Sequence, residues 1–374
     1  MHVFIDASNI VDGGGLTHLR EIINCTKKLP NRVGKVYICG FSCLLNDLDN
    51  KDWLFHILIP ERFNSRLGRL IFRFFKLRSI LKNFSPDVLF SPGGILPKFK
   101  GRTITMCRNM LPFESEHWMK AGVRGFRYPI LRAAQIRSFN SADRVIFLSE
   151  YAYETVKPLI KNKTSKLTVI PHGITKYFNA VGPDRINDKQ KNKELKLIYV
   201  SPITFYKNHF KLIKALIMLE EDGFHLSLDL VGDHMDKEKF KLEKLISKHN
   251  HVDTNLVNFH GKITQKEIAL LISKADYFIF ASSCENFPNT LLEGMASGRL
   301  IFCSDLRPMK DILLDGGIYF DPTSIESIYL SIKNVLNSDN NYNHLVEKSK
   351  MLSRQYSWEK CSRKTWKFIT KEFS

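Results

Sequence analysis

The sequence predicts an α/β protein of two doubly wound domains, and three observations carry that prediction. Short β-prone runs alternate with helical stretches along nearly the whole chain, the pattern of parallel sheets covered by helices. A length of 374 residues favours two domains, each large enough for its own core. Residues 181–194, V-G-P-D-R-I-N-D-K-Q-K-N-K-E, are polar and open with Gly-Pro, the composition of a linker, and the strand–helix rhythm restarts beyond them. The expected division is a first domain over 1–180, a linker over 181–194, a second domain over 195–355, and a tail, 356–374. The tail is helical, carries Trp358 and Trp366 for packing, and is expected to cross back onto the first domain.

Composition narrows the class. With 44% hydrophobic and 25% charged residues the chain is ordinary globular material, not a disordered one. No run approaches the roughly 18 uninterrupted apolar residues that span a bilayer. The start, Met1-His-Val-Phe-Ile-Asp6, lacks the basic head and apolar core of a signal peptide. Seven dispersed cysteines without a C-x-x-C pair point to reduced thiols in a cytosol. Charge is uneven. Residues 1–180 hold 28 Lys+Arg against 13 Asp+Glu, net +15, whereas 181–374 hold 28 against 25, net +3. The first half therefore faces something acidic.

In the first domain, the strand Met1–Asp6 leads through Gly13-Gly14-Gly15 into a helix ending near Lys28. Strand, glycine triplet and helix is a layout in which bare backbone approaches a phosphate or sugar, though a simple flexible turn has the same look. Further strands are expected at Lys35–Cys39, Leu54–Ile59, Val88–Phe90, Thr103–Cys107, Val145–Leu148 and Leu167–Ile170. Between the third and fourth, 61–84 reads as one amphipathic helix. At about 100° per residue, Phe63, Leu67, Leu70, Ile71, Phe74, Leu77 and Leu81 share a face, and Arg62, Arg66, Arg69, Arg73 and Lys76 fill the adjoining arc. One acidic residue stands against seven basic ones. Either the apolar side packs on the sheet under a solvated basic face, or the helix docks on an anionic membrane. No nucleic-acid module signature accompanies it, and no nucleic-acid partner is expected.

Asn109, Glu114 and His117 follow the fifth strand at its carboxyl end, where such sheets place ligands. They are either substrate contacts or polar residues of a surface loop. Asp47-Leu-Asp49 fits D-x-D but lies far from the expected ligand elements and reads as a chance match.

In the second domain, strands are expected at Leu195–Val200, Leu226–Val231, Leu256–Phe259, Tyr277–Phe280 and Leu300–Cys303, with helices over Asn208–Glu221, Lys237–His249, Thr264–Ser273 and Thr290–Ser297. The last helix stops at Gly298, and two carboxylates, Glu285 and Glu293, lie in and after the loop that precedes it. A helix N-terminus gathers unpaired N–H groups and seats a phosphate, and the carboxylates would hold hydroxyls on either side. Thr290-Leu-Leu-Glu293 is also a capping box, in which Glu293 would only bond back to the helix.

With these residues in hand, the chain resembles family 4 (group 1) glycosyltransferases of the GT-B fold, of bacterial surface-polysaccharide type, nearly end to end. The likeness rests on Gly13-Gly-Gly15, Ile170-Pro-His-Gly173, the strand leading to Lys207-Asn208, Val231-Gly-Asp233, and Glu285 to Glu293 followed by Gly294-Met-Ala-Ser-Gly298. The resemblance implies two Rossmann-like domains facing each other across a cleft. It implies retaining transfer of a sugar from a nucleotide sugar to a hydroxyl, without metal or cofactor, by front-side attack in which the leaving phosphate helps deprotonate the acceptor. Lys207 and the N–H groups near Asn289, Thr290 and Leu291 would neutralise the diphosphate. Glu293 would hold the ribose and Glu285 the transferred sugar. Gly14, Gly15, Asn208, Gly232, Asn286 and Phe287 complete the implied donor set. Asn109, Glu114 and His117 fall on the acceptor side, and Glu285, Lys207 and His117 are the candidate catalytic residues.

One departure stands out: the Arg that the family carries five residues before the Lys is Pro202 here. The expected partners are a nucleotide sugar, a lipid-linked saccharide acceptor and an anionic membrane surface, and the expected location is the inner face of the cytoplasmic membrane. The rival functions are a GT-B sugar-nucleotide epimerase and a non-catalytic basic protein that binds membrane or nucleic acid.

Overall fold

Apolar β-prone runs become strands where both their faces can be covered, and each expected strand of both halves forms within a residue or two. The computed structural model describes residues 1–178, 194–233, 236–248 and 256–371. The chain divides into two units, Met1–Gly173 with Tyr356–Ser374, and Ile174–Gln355. Apart from Glu194, the linker expected at 181–194 lies outside the described residues.

The first unit holds β1 (His2–Asp6), β2 (Lys35–Gly40), β3 (Leu54–Leu58), β4 (Val88–Ser91), β5 (Arg102–Cys107), β6 (Arg144–Phe147) and β7 (Lys166–Val169). They form one parallel sheet in the order β3-β2-β1-β4-β5-β6-β7. Val3, Phe4, Ile5, Val88, Leu89 and Phe90 are fully or almost fully buried, as befits a parallel sheet covered on both faces. The order reverses between β1 and β4, which opens a crevice at the carboxyl ends of those strands.

The second unit holds β8 (Leu195–Val200), β9 (Leu226–Val231), β10 (Val257–Gly261), β11 (Tyr277–Phe280), β12 (Leu300–Ser304) and β13 (Ile318–Phe320). Their order is β10-β9-β8-β11-β12-β13, again parallel, so its switch point lies between β8 and β11. The chain is thus an α/β protein of two Rossmann-like sheets, the architecture of GT-B enzymes. The three-residue strand β13 was absent from the expected set because so short a run carries no periodic signal.

The tail helix Trp358–Thr370 packs on the first unit's helix Gly13–Asn24. Trp366 Nε1 donates to Thr26 Oγ1 at 2.7 Å, and Ser362 Oγ donates to the Ile22 carbonyl at 2.8 Å. Arg144, fully buried at the start of β6, donates to the Phe368 and Lys371 carbonyls and so satisfies the open end of that helix.

The segment 61–84 departs from the expected single helix. It forms a 3-10 turn (Glu61–Phe63), a helix (Arg66–Ile71), a π turn (Phe72–Lys76) and a second helix (Leu77–Phe84). The π turn takes up an extra residue and rotates the second helix relative to the first. Phe72, Leu77 and Leu81 enter the core, while Leu67, Leu70, Ile71 and Phe74 of the expected buried face are exposed. Arg73 also leaves the expected basic arc and turns inward, its guanidinium 3.1 Å from the buried Asp6 carboxylate. Among the described residues no helix is long and apolar enough to cross a membrane. Asp47 and Asp49 of D-x-D are taken up by ion pairs with Arg20 at 3.7 Å and Lys51 at 3.2 Å.

Candidate functional site

In the second unit the two loops at the β8/β11 switch point are tied together. Asn208 Nδ2 donates to the Ala281 carbonyl at 2.8 Å, and the Ser283 N–H donates to the Tyr206 carbonyl at 2.7 Å. Asn208 has a left-handed backbone (φ 54°), which asparagine tolerates better than most residues, and it starts the helix His209–Glu221. Gly232 at the end of β9 is a glycine for a packing reason. Its φ is 149°, and a Cβ there would lie 2.3 Å from the Ser201 carbonyl oxygen. The loop holding Pro202 therefore sits directly against β9, and the Ile203 N–H donates to the Asp233 carbonyl at 2.9 Å.

This frame brings Lys207 and Glu285 together as an ion pair. Lys207 is 7% exposed, and its Nζ stands 5.4 Å from the centroid of the Phe280 ring and 5.6 Å from that of Tyr206. Burial works against the Lys207 charge, but Glu285 and then Tyr199 and Tyr206 outweigh it and hold its pKa above the ordinary value. Neighbouring His209 is pushed down to about 3, first by burial and then by the Lys207 charge, so it is neutral and hydrogen-bonded to Ser201 Oγ at 3.0 Å. The Lys207–Glu285 pair thus stands among aromatic rings and a neutral imidazole.

The loop continues through Asn286 and Phe287, both buried, to the helix Asn289–Ala296. That helix begins one residue earlier than expected, with Pro288 as its N-cap and no cap hydrogen bond from the Pro288 side chain. Thr290 therefore lies inside the helix and the capping box with Glu293 does not form. The reason is Pro288, whose fixed φ sets the entry while its side chain has no acceptor to offer. The N–H groups at Thr290 and Leu291 belong to the first turn, which has no intrahelical acceptors. Gly294 lies flat on β11, where a Cβ would meet the Phe278 ring at 2.7 Å, and Gly298 (φ 72°) ends the helix.

Glu293 projects from this helix with 7% exposure, and among the described residues its carboxyl has no hydrogen-bond partner. Burial pushes its pKa up to about 8. At neutral pH it is largely a protonated acid, which offers one donor and one acceptor to a vicinal diol.

In the first unit, Gly13, Gly14 and Gly15 open the helix Gly13–Asn24. Gly13 has a φ of 59°, and a Cβ on Gly15 would collide with the Arg108 guanidinium at 2.2 Å. Arg108, directly after β5, is a residue that sequence reasoning passed over. Burial pushes its pKa down to about 10 while Asp12 supports its charge. Its position at a strand's carboxyl end was the available signal; its partner Gly15 lies too far away in sequence to be paired with it by eye. His18 is fully buried and its pKa is lowered by burial, then by His172 and Arg108.

Beyond β5, Asn109 is exposed and its Oδ1 accepts the Leu111 N–H at 3.1 Å, a local turn. Glu114 accepts from the Tyr151 hydroxyl at 2.9 Å and lies 3.3 Å from His117 Nε2, with His117 almost fully buried. Lys207, Asn208, Gly232, Glu285, Asn286, Phe287, Asn289, Thr290, Leu291 and Glu293 all belong to the second unit. Gly14, Gly15, Asn109, Glu114 and His117 belong to the first.

Two family models match the chain. The model of the family described as Glycosyltransferase Family 4 matches residues 13–176, and that of Glycosyl transferases group 1 matches residues 183–351. The chain is 25% identical to O-antigen chain mannosyltransferase B of Escherichia coli over 29% of either chain. It is 22% identical to O-antigen chain mannosyltransferase RfbU of Salmonella typhimurium over 86% of this chain and 84% of that one. A third relative is the N-acetylgalactosamine-N,N'-diacetylbacillosaminyl-diphospho-undecaprenol 4-alpha-N-acetylgalactosaminyltransferase of Campylobacter jejuni, 23% identical over 56% of this chain and 57% of that one. The first-named relative is thus matched over less than a third of its length and the third over little more than half. Among solved structures, WaaG, a glycosyltransferase involved in lipopolysaccharide biosynthesis, superimposes with a TM-score of 0.76 at 16% identity, covering all of both chains. Anabaena HepE in complex with UDP-glucose gives 0.74 at 14% identity, likewise over the full length of both. The chain belongs to the group 1, family 4 glycosyltransferases.

Proposed function

We propose that this protein is a retaining glycosyltransferase that moves a sugar from a nucleotide sugar to a hydroxyl of a lipid-linked saccharide in surface-polysaccharide assembly, at the cytoplasmic face of an anionic membrane. The observation that carries the reading is the buried Lys207–Glu285 pair, with Glu285 in the loop that leads into a helix N-terminus, at a topological switch point. Such a site meets a diphosphate with fixed positive charge from Lys207 and from the N–H groups at Asn289, Thr290 and Leu291, and charge developing on the leaving group is stabilised without reorganisation. Glu285 then exchanges part of its contact with Lys207 for hydroxyls of the transferred sugar, and Glu293 takes the ribose diol. The electrostatic work lies with side chains and backbone, so transfer is expected to persist in excess chelator.

The acceptor side rests on Glu114, His117 and the basic first half. Relatives named for O-antigen mannosyl transfer and for a diphospho-undecaprenol acceptor support the acceptor class. A thermal-shift panel of UDP-, GDP- and ADP-sugars, followed by transfer to a lipid-linked acceptor, tests the reading. If no nucleotide sugar raises the melting temperature, the basic binding-protein alternative replaces it. Epimerised sugar nucleotide formed without acceptor would assign the chain to the epimerases instead.

A further inference from the structure

The segment between β3 and β4 has an outer surface that the donor site does not explain. Leu67, Leu70, Ile71, Phe74 and Phe75 are 67%, 53%, 44%, 69% and 74% exposed. Spacings of three and four residues make them neighbours on one surface, so this is a contiguous apolar patch and not scattered side chains. The π turn Phe72–Lys76 creates it. By taking up one extra residue, the turn sends Phe72 and Leu77 into the core and leaves Phe74 and Phe75 outside.

The rim is cationic. Arg66, Lys76, Arg78 and Lys82 are exposed and Arg69 half-buried in the same segment, and the sequence has no acidic residue between Glu61 and Asp87. Glu61 itself is taken up by Ser42 and Asn64. A second copy of this chain is a poor occupant, because two such rims would repel each other. An anionic bilayer meets both requirements at once, accepting aromatic and aliphatic side chains at the headgroup boundary and cations at its phosphates.

We infer that Phe74 and Phe75, with Leu67, Leu70 and Ile71, form a wedge that inserts into the interface of an anionic bilayer while Arg66, Arg69 and Lys76 bind lipid phosphates. This rests on the proposed membrane-side reading above and names the residues that carry it. The wedge anchors the first unit, which also carries Glu114 and His117, at the membrane surface.

The test is co-sedimentation of the full chain with vesicles of phosphatidylcholine alone or mixed with phosphatidylglycerol. Wild type pellets with the anionic vesicles and not with the neutral ones. The double variant Phe74→Ser, Phe75→Ser loses at least about tenfold in partitioning at unchanged melting temperature. Arg66→Gln with Lys76→Gln loses a comparable factor, and its residual binding is less sensitive to salt. Equal pelleting of the wild type and the phenylalanine variant overturns the wedge, as does failure of the wild type to bind anionic vesicles. A wild-type dimer in light scattering that the variant abolishes assigns the patch to self-association instead. Nucleotide-sugar thermal shifts measured on the same variants separate the two readings: they stay intact if only the wedge fails, and are absent in the wild type if the donor reading fails.

Discussion

Lys207 and Glu285 stand 78 positions apart in sequence, yet their side chains pair because β8 and β11 are neighbours at the point where the second sheet reverses its order. The pair is mostly screened from water, with side-chain exposures of 9% and 14%. Removing one partner therefore leaves an uncompensated charge in a poorly solvated place.

Lys207→Ala is expected to abolish detectable transfer, a loss of at least about 100-fold, because the developing diphosphate charge loses its fixed countercharge. Circular dichroism should stay native, since Asn208 and Ser283 still tie the two loops. Near-normal turnover would remove Lys207 from the phosphate role.

Glu285→Ala is expected to cost stability, on the order of 3 kcal/mol, because it strands the buried ammonium of Lys207. The double variant with Lys207→Met should recover most of that loss in urea unfolding while remaining inactive. Additive losses in the double variant would show that the two side chains do not act as a pair.

The pH dependence of Glu293 has a definite sign. Burial raises its pKa from 4.5 to about 8, so between those values the folded protein holds a proton that the unfolded chain has released. Its contribution to stability is full below the unfolded value and declines as pH rises toward about 8, by up to about 1.4 kcal/mol per pH unit. Glu293→Gln imitates the protonated form and should flatten the fall of melting temperature between about pH 5 and 8 in donor-free protein. Donor affinity should still drop by roughly 1–3 kcal/mol, because an amide replaces the acid at the diol.

Gly232→Ala should be strongly destabilising. Its Cβ would approach backbone atoms of Ser201 and Pro202 that cannot move independently of β8, in a backbone conformation that L residues rarely adopt. Thermal unfolding is the check, and a melting temperature unchanged from wild type would contradict the close approach of the two strand ends.

Arg144→Met is expected to loosen the tail helix while leaving the first sheet intact. The change removes donors from two carbonyls at the end of Trp358–Thr370, at a cost of about 1–3 kcal/mol. Hydrogen exchange should speed up across 358–370 before it does so in β1, β4 and β5.

The alternation of apolar runs with helical stretches determined the architecture, because a parallel sheet needs near-continuous hydrophobic strands and helices long enough to return the chain. The stretch from Ser282 to Gly298 was legible as a candidate site for the same local reason: a helix start comes soon after a strand end. The sequence did not carry the features that depend on distant partners. The π turn in 61–84 is invisible to a 3.6-residue period, since the choice to bury Phe72 and Leu77 instead of Phe74 is made by the core around Phe4, Phe41 and Leu89. The inward turn of Arg73 toward Asp6 and the contact of Arg108 with Gly15 likewise join separate strand ends. The state of Glu293 was also beyond the sequence, which shows a carboxylate, a capping-box spacing and a helix. Pro288 settled where the helix begins, and burial by the rest of the unit withdrew the carboxyl from water and raised its pKa. Local chemistry named the residues, and long-range packing decided which of them meet and what charge they carry.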